Sequence, residues 1–358
     1  MRVAIITDQH FGVRGDSIHF LDYYEKFYKD TFFPKLLSEG VDTLLVLGDT
    51  FDHRKSVNFN SLDRAKSMFF DVLRKNNILT YILVGNHDTY FKNTNKVNSP
   101  TLLLGDEYPN IFVITDPTTL NIGDVEICMM PWICPENLDE SKSEIETTTA
   151  KICMGHFEIA GFAMHRGMES EEGMDPKSFN KFELVFSGHY HHKSNKGNIH
   201  YLGNPAQLTW SDYNDDRGFH ILDLDTIELE FVINPNIMFF KLTYDDTIPN
   251  IAGILDKLNY GSYTNKFVKV IVNNKTNPVL YDQFVTKLYE ANPLDVNLIE
   301  DGVDLTETLE DDTIDEAEDT ITIINKFVDA VAVDGIDPSK IKHILREIYV
   351  EALNTECT

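Results

Sequence analysis

The chain reads as an α/β fold, and three observations predict it. Short β-branched and apolar runs such as Arg2–Thr7 and Leu44–Leu47 have the composition of buried parallel strands. Between them lie longer segments, Phe20–Leu37 and Asn60–Lys75, with apolar residues at helical spacing. Five of the apolar runs end at Asp, Asn or His, four of them through a glycine. In open α/β sheets, the carboxyl ends of strands are where ligands sit.

In order, Arg2–Thr7 is the first strand and runs into Asp8-Gln9-His10. Phe20–Leu37 follows as a helix closed by Gly40. Leu44–Leu47 is the second strand; its exit, Gly48-Asp49-Thr50-Phe51-Asp52, turns tightly at the glycine. Asn60–Lys75 is a helix with Asn60 or Ser61 as its cap. Thr80–Val84 is the third strand and ends in Gly85-Asn86-His87-Asp88. Strand, helix, strand, helix, strand makes a parallel unit. Asn93–Gly105 holds a short helix, and Ile111–Thr115 and Val125–Met130 are strands around a turn at Asn121–Asp124. Asn137–Thr149 is an acidic surface helix. Lys151–Met154 ends in Gly155-His156, and Leu184–Ser187 ends in Gly188-His189-Tyr190-His191-His192. Ile199–Leu202, Gly218–Leu224 and Ile227–Ile233 are expected to be antiparallel and to close a second sheet.

The pattern restarts after Pro235. Met238–Leu242, Phe267–Val272 and Val296–Ile299 read as strands, and Asn250–Leu258 and Val279–Glu290 as helices. The expected organisation is a main domain over 1–235 and a small α/β domain over 236–299. Residues 300–319 carry eleven acidic side chains and no Lys or Arg, the pattern of a solvated linker. Two amphipathic helices are expected within 320–358.

A formal net charge of −27 argues against DNA as a simple electrostatic partner of the whole surface. It leaves room for bound cations, a basic protein partner, or nucleic acid on a local patch. The four cysteines lack C-x-x-C spacing, so neither a disulfide framework nor a zinc ribbon is expected. No apolar run reaches membrane-spanning length, and the first residues enter a strand without a leader. The reading is a soluble, cytoplasmic protein with no membrane association.

The strand ends carry the chemistry. Asp8 and His10 are two apart, as are His189 and His191, and on an extended strand such pairs share a face. With Asp49, Asn86 and His156 they offer oxygen and imidazole nitrogen, a mixed set suited to Mn²⁺, Fe²⁺ or Zn²⁺ rather than Ca²⁺ or Mg²⁺. Seven ligands exceed one tetrahedral ion and suit two ions about 3.5–4 Å apart sharing one carboxylate. Asp49 is the expected bridge. His87 adjoins Asn86, and an imidazole there suits a general acid or transition-state stabiliser.

In order and type, Asp8-x-His10, Gly48-Asp49-x-x-Asp52, Gly85-Asn86-His87-Asp88, Gly155-His156 and Gly188-His189-x-His191 resemble the calcineurin-like metallophosphoesterases. That resemblance spans two-thirds of the chain. It implies a four-layer α-β-β-α sandwich and two divalent ions, Mn²⁺ first and Mg²⁺ second. One ion would take Asp8, His10, Asp49 and His191; the other would take Asp49, Asn86, His156 and His189. It also implies that Asp52 orients His87. The finer pattern, including Gly155-His156-Phe157-Glu158 and Tyr201-Leu202-Gly203-Asn204-Pro205 followed by Arg217-Gly218-Phe219, is similar to the SbcD-type nuclease subunits. Small size and acidity are closest in kind to bacteriophage members of that branch.

For that branch the implied activity is double-strand exonuclease and single-strand endonuclease cleavage of DNA. The implied assembly is a homodimer within a heterotetramer with a coiled-coil ABC-type ATPase (SbcC-like) that receives the terminal helices. Some relatives place a histidine where this chain has Asp52; His53 either substitutes or is a surface residue. Expected DNA contacts near the ligand loops are His53, Arg54, Lys55, Lys92 with Lys96, Lys193 with Lys196, and Arg14. His192 is expected to point away from the site, and Trp132 and Trp210 to pack. The stripe Met68, Phe69, Val72 and Leu73 reads as core packing, or as a dimer contact by the resemblance. Two rival functions are a phosphomonoesterase or small cyclic phosphodiesterase, and a non-catalytic scaffold on the same fold.

Overall fold

The structure is a computed structural model that describes residues 1–300 except 166, 167, 171 and 172, together with residues 328 and 342. The chain divides into units Met1–Glu307 and Thr308–Thr358, and the first is described here. The expected linker beyond residue 300 and the two terminal helices lie outside the described residues, apart from 328 and 342.

Seventeen strands are described: β1 Arg2–Ile6, β2 Thr43–Val46, β3 Leu79–Leu83, β4 Ile111–Ile114, β5 Thr118–Ile122, β6 Val125–Met130, β7 Ile152–Gly155, β8 Ala163–His165, β9 Met168–Glu169, β10 Leu184–Ser187, β11 Ser194–Lys196, β12 Ile199–Tyr201, β13 Gly218–Asp223, β14 Glu228–Ile233, β15 Phe239–Asp245, β16 Phe267–Asn274 and β17 Asp295–Ile299. Two six-stranded sheets, β14-β13-β1-β2-β3-β4 and β11-β12-β10-β7-β6-β5, form the main body. Strands β1 to β4 are mutually parallel, as are β6, β7, β10 and β12.

Alternation along each strand separates the layers. Val3 and Ile5 join Leu45, Leu47, Met129, Met154 and Phe186 in an inner core between the sheets. Ala4 and Ile6 face the opposite way, into a core shared with the helices over Ile18–Ser38 and Phe59–Lys75. On the far side of the second sheet, Cys128, Cys153 and Val185 pack with Ile145 of the helix Leu138–Thr147 and with Phe179. Helix, sheet, sheet and helix are the four layers expected.

The helix over Phe59–Lys75 begins at Asn58, whose side chain accepts from the backbone N–H of Asn60 and Ser61, so the cap lies earlier than residues 60–61. Both long helices widen to a π-turn, at Tyr28–Phe32 and at Lys66–Phe70. The two turns meet through Tyr28 and Phe69, whose ring centroids are 4.7 Å apart. Met68, Phe69 and Leu73 are buried there, so the stripe is core packing. A buried ring of this kind contributes about 1.5–3 kcal/mol.

Two sequence expectations are corrected. Thr118–Ile122 is a strand paired with β6. The hairpin β13–β14 is antiparallel as expected, but it extends the first sheet beside β1, while β12 runs parallel to β10 in the second. Gly218–Leu222 is buried throughout, so its apolar run fits either sheet; pairing with β1 decides.

Strands β15, β16 and β17 form a separate parallel sheet. Helices Ile251–Asp256 and Pro278–Glu290 accompany it, and Tyr244, Val268, Val270, Phe284 and Leu288 form its core. Phe239 and Phe267 turn the other way and join the main core, 4.9 Å from Trp210 and 6.0 Å from Phe20 respectively.

Candidate metal centre

The site lies where the carboxyl ends of β1, β2 and β3 in one sheet face those of β7 and β10 in the other. Asp8 N–H donates to Gly48 O and His10 N–H to Asp49 O, each at 3.0 Å, which draws the first two loops together. Across the sheets, His189 N–H donates to the Asp8 carboxylate at 3.0 Å. Gly48 has φ +96 and sits so close to His156 that a Cβ there would lie 2.4 Å from Nδ1. Only a glycine lets the two sheets approach at this point.

Asp8, His10, Asp49 and His189 all take positive φ, between 46 and 83 degrees. Each left-handed non-glycine residue costs roughly 1–2 kcal/mol, and strain of this kind gathers at functional sites. It also corrects the sequence argument. Strand β1 ends at Ile6, so Asp8 and His10 do not share a face of an extended strand. The loop turns them inward by left-handed steps, and His189 is turned by the same device.

All seven expected ligands are brought together. Three clusters have ligand atoms within 4.8 Å of one another: Asp8, His10 and His191; His10, Asp49 and His87; Asp49, His156 and His189. Asp49 belongs to two of them. His10 Nε2 lies 3.1 Å from His191 Nε2. His156 Nδ1 donates to Leu47 O at 2.7 Å, which turns Nε2 towards Asn86 Oδ1 at 2.9 Å and Asp49 Oδ2 at 3.3 Å. His189 Nδ1 approaches the same Asn86 oxygen at 3.0 Å. A backbone-oriented imidazole whose other nitrogen faces carboxylate and amide oxygens, as at His156, has the donor set and support of a metal site. The residues present therefore fit divalent cations.

The electrostatics agree. Burial works against the His10 imidazolium, but the Asp52 carboxylate 3.1 Å from Nδ1, with the charges of Asp49 and Asp8, outweighs it and lifts its pKa to about 9. Burial likewise opposes the His156 imidazolium, and Asp49 and Asp8 lift it to about 9. Burial drives His189 down to about 3 and His191 well below its ordinary value, with cationic neighbours adding to both. The pocket thus attracts positive charge at His10 and His156 and presents neutral imidazole at His189 and His191.

His87 donates from Nδ1 to the backbone carbonyl of Asp52 at 2.7 Å. The Asp52 carboxylate faces His10 Nδ1 at 3.1 Å and His53 Nδ1 at 3.6 Å. Asp52 therefore reaches His87 through its main chain, and its side chain steadies His10, which differs from the pairing the resemblance implies. Asp88, to which sequence reasoning gives no role, is fully buried and accepts from the N–H groups of Thr50, Phe51 and Gly85. Burial, with Asp49 adding to it, raises its pKa to about 6. It ties the Asp49 loop to the Asn86 loop. The signal was the fourth residue of Gly85-Asn86-His87-Asp88, but nothing in the sequence says which backbone it caps.

The basic residues scatter. Arg54 donates to Thr89 O and Oγ1, bracing the loop after His87. Lys55 and Lys92 are exposed. Lys96 pairs with Glu136, Lys196 donates to Gly161 O, and Lys193 Nζ lies 3.2 Å above the Phe231 ring. Arg14 Nε donates to Leu208 O at 2.9 Å. His192 turns to Asp215 at 2.7 Å, away from the ligands, as expected. Trp132 does more than pack at a distance: its ring lies 5.4 Å from His189 and 6.3 Å from His156.

Comparison with known proteins completes the picture. Residues 1–193 match the family model for calcineurin-like phosphoesterase. Exonuclease subunit 1 of Enterobacteria phage T4 is 30% identical over 98% of this chain and 99% of that protein. The SbcD component of the SbcCD nuclease of Staphylococcus epidermidis is 24% identical, covering 96% of this chain and 98% of that one. The DNA double-strand break repair protein Mre11 of Methanocaldococcus jannaschii is 29% identical over 64% of each. On the family match and the near full-length relative, the chain belongs to the calcineurin-like phosphoesterase family.

Proposed function

We propose that this protein is the nuclease subunit of a DNA recombination and repair machine, hydrolysing DNA phosphodiesters at a two-metal centre. The observation that carries the reading is the Asp49 carboxylate, whose Oδ2 lies 3.7 Å from His10 Nε2 on one side and 3.3 Å from His156 Nε2 on the other. One ion would be held by Asp8, His10, Asp49 and His191, the other by Asp49, Asn86, His156 and His189. The mixed set of imidazole and oxygen donors admits Mn²⁺, Fe²⁺ or Zn²⁺, and the family resemblance puts Mn²⁺ first among them. Bound there, the ions supply charge neutralisation on the phosphate and a hydroxide nucleophile at neutral pH.

The chain's own residues do the rest. His87, its ring fixed by the Asp52 carbonyl, protonates the leaving oxygen. Asp52 holds His10 in its ligand orientation. Lys55 and Lys92 on the exposed loop edges, with His53, Arg54, Arg14 and Lys193 nearby in sequence to the ligands, supply the local phosphate contacts that so acidic a chain requires. Relatives named as an exonuclease subunit, a nuclease subunit and a DNA double-strand break repair protein support DNA as substrate; in this reading both double-strand ends and single strands are cut.

In this reading residues 1–235 form the nuclease domain and 236–299 cap it, while 320–358, past the acidic stretch 300–319, bind a coiled-coil ABC-type ATPase. The unit works as a homodimer in the cytoplasm. Exposed apolar side chains Phe59, Phe91 and Leu102, on segments that follow two ligand loops, support the pairing of two copies. Among the described residues no helix is long and apolar enough to cross a membrane.

The test is hydrolysis by purified protein, with Mn²⁺ or Mg²⁺, of linear duplex, single-stranded circles and p-nitrophenyl phosphate esters, with and without the ATPase. Metal-dependent DNA cleavage is expected. Turnover of the monoester alone, or of nothing, contradicts the proposal.

A further inference from the structure

We infer that Arg217 is a positioning residue for His191, and that it ties this one ligand to the base of the small sheet; the inference rests on the two-metal reading above. Arg217 is only 3% exposed. Its Nη1 donates both to the backbone carbonyl of His191 and to Asn204 Oδ1. Its Nη2 reaches Asp212 Oδ1 at 2.6 Å and Asp215 Oδ2 at 2.9 Å. Asn204 N–H donates to the same His191 carbonyl at 3.2 Å. Asp215 also holds His192, the residue after the ligand, at 2.7 Å. The main-chain carbonyl of His191 and the ring of His192 are thus gripped by one buried guanidinium and its partners.

The grip continues outward. Asp212 Oδ2 accepts from the N–H groups of Leu208 and Thr209, at 2.6 and 3.0 Å. The backbone carbonyl of Asp212 accepts from Gln207 Nε2 at 3.0 Å. Gln207 Oε1 in turn accepts from Met238 N–H at 2.9 Å and Phe239 N–H at 3.3 Å, where β15 begins. Trp210 of the same loop packs on Phe239 and lies under Lys269 Nζ at 4.4 Å. His191, Arg217, Asp212, Gln207 and the first strand of the small sheet are therefore one continuous bonded series.

Stability alone is a poor reason for such a cluster. Buried ion pairs are often replaceable by apolar groups without loss, because desolvation cancels their attraction. Here Arg217 Nε–H is buried without an acceptor among the described residues, which adds a further penalty. What the planar fork supplies is direction, two parallel donors fixed by one plane. Of the ions' ligands, only His191 has its own backbone carbonyl in this grip, so the consequence falls on one ion. His156, by contrast, is held through Leu47 O.

The test uses the full chain, with Arg217→Lys and the milder Asn204→Ala, and Mn²⁺ titration followed by electron paramagnetic resonance. Wild type is expected to take two ions. Arg217→Lys is expected to hold one with unchanged affinity and the other about 10–100-fold more weakly, the range for losing a residue that supports a ligand. Asn204→Ala is expected to weaken the same ion by several-fold. Added guanidinium is expected to restore the weak ion in Arg217→Ala. Equal weakening of both ions, or of neither, in folded Asn204→Ala overturns the inference, and that variant decides if the Arg217 variants fail to fold. A wild type that takes no pair of ions marks instead the failure of the two-metal reading.

Discussion

Gly85→Ala changes no ligand, yet it should disable the site. Gly85 has no positive φ, so alanine suits its backbone, and the whole effect comes from one methyl group. That methyl would lie 2.1 Å from Asp49 Oδ1 and 2.3 Å from Asp49 N, where real contacts stay beyond 3.0 Å. Relief requires the carboxylate oxygen to retreat by roughly 0.9 Å, and side-chain rotation cannot relieve the clash with the main-chain nitrogen. Asp49 Oδ1 is also the acceptor for His87 N–H at 2.8 Å, so the proposed general acid moves with it. A displacement of about 1 Å at reacting groups costs on the order of 10²-fold in rate. Overpacking of this kind costs about 1–3 kcal/mol of stability.

The assay pairs Mn²⁺ titration with turnover of bis-p-nitrophenyl phosphate and of linear DNA. Gly261→Ala is the control, since its methyl would meet only Asn259 Oδ1 at an ordinary 3.4 Å. Gly85→Ala is expected to fold, to bind both ions at least 10-fold more weakly and to lose at least about 10²-fold in turnover, while the control is unchanged. Wild-type affinity for two ions with wild-type turnover in folded Gly85→Ala refutes the claim that Asp49 is shared.

Three further outcomes follow from named groups. If His87 protonates the leaving oxygen, His87→Ala loses about 10²–10⁴-fold on DNA and little on a diester with a nitrophenolate leaving group, which needs no proton; equal losses on both refute the role. Lys266 lies 3.8 Å from Met238 Sδ, and burial depresses its pKa to about 8 from 10.5, with Lys26 adding to it. Between those values the unfolded chain holds the proton and the fold does not, so stability rises with pH there. Discounted for partial exposure, the gain is about 1 kcal/mol, and it should vanish in Lys266→Met when urea melts are compared at the two ends of the range. Deleting Thr320–Thr358 should abolish pull-down of the ATPase and leave metal-dependent DNA hydrolysis intact; retained ATPase binding contradicts the docking assignment.

What was legible in the sequence was whatever is local. Apolar runs of strand length predicted β1, β2, β3, β7 and β10, and the ligand at each end came with its strand. Gly48 signalled a tight turn, though not that His156 would press against it, and nothing in the sequence marked the approach of Asp49 to Gly85. The convergence of Asp8 with His10 rests on left-handed backbone at both residues rather than on a shared strand face; Asp and His are enriched in that region, but identity alone does not say that either residue adopts it. Asp52 could be seen as adjacent to the site, but only coordinates separate its carbonyl, on His87, from its carboxylate, on His10. The placement of β13–β14 in the first sheet and the Arg217 grip on His191 join residues far apart in the chain, where neither periodicity nor spacing carries information.

The most direct measurement is anomalous diffraction from crystals grown with Mn²⁺. The account predicts two peaks about 3.5–4 Å apart with one Asp49 oxygen bound to each side. One of them should lie against Asp8, His10 and His191, the other against Asn86, His156 and His189. A single peak, or two peaks that do not touch Asp49, contradicts it.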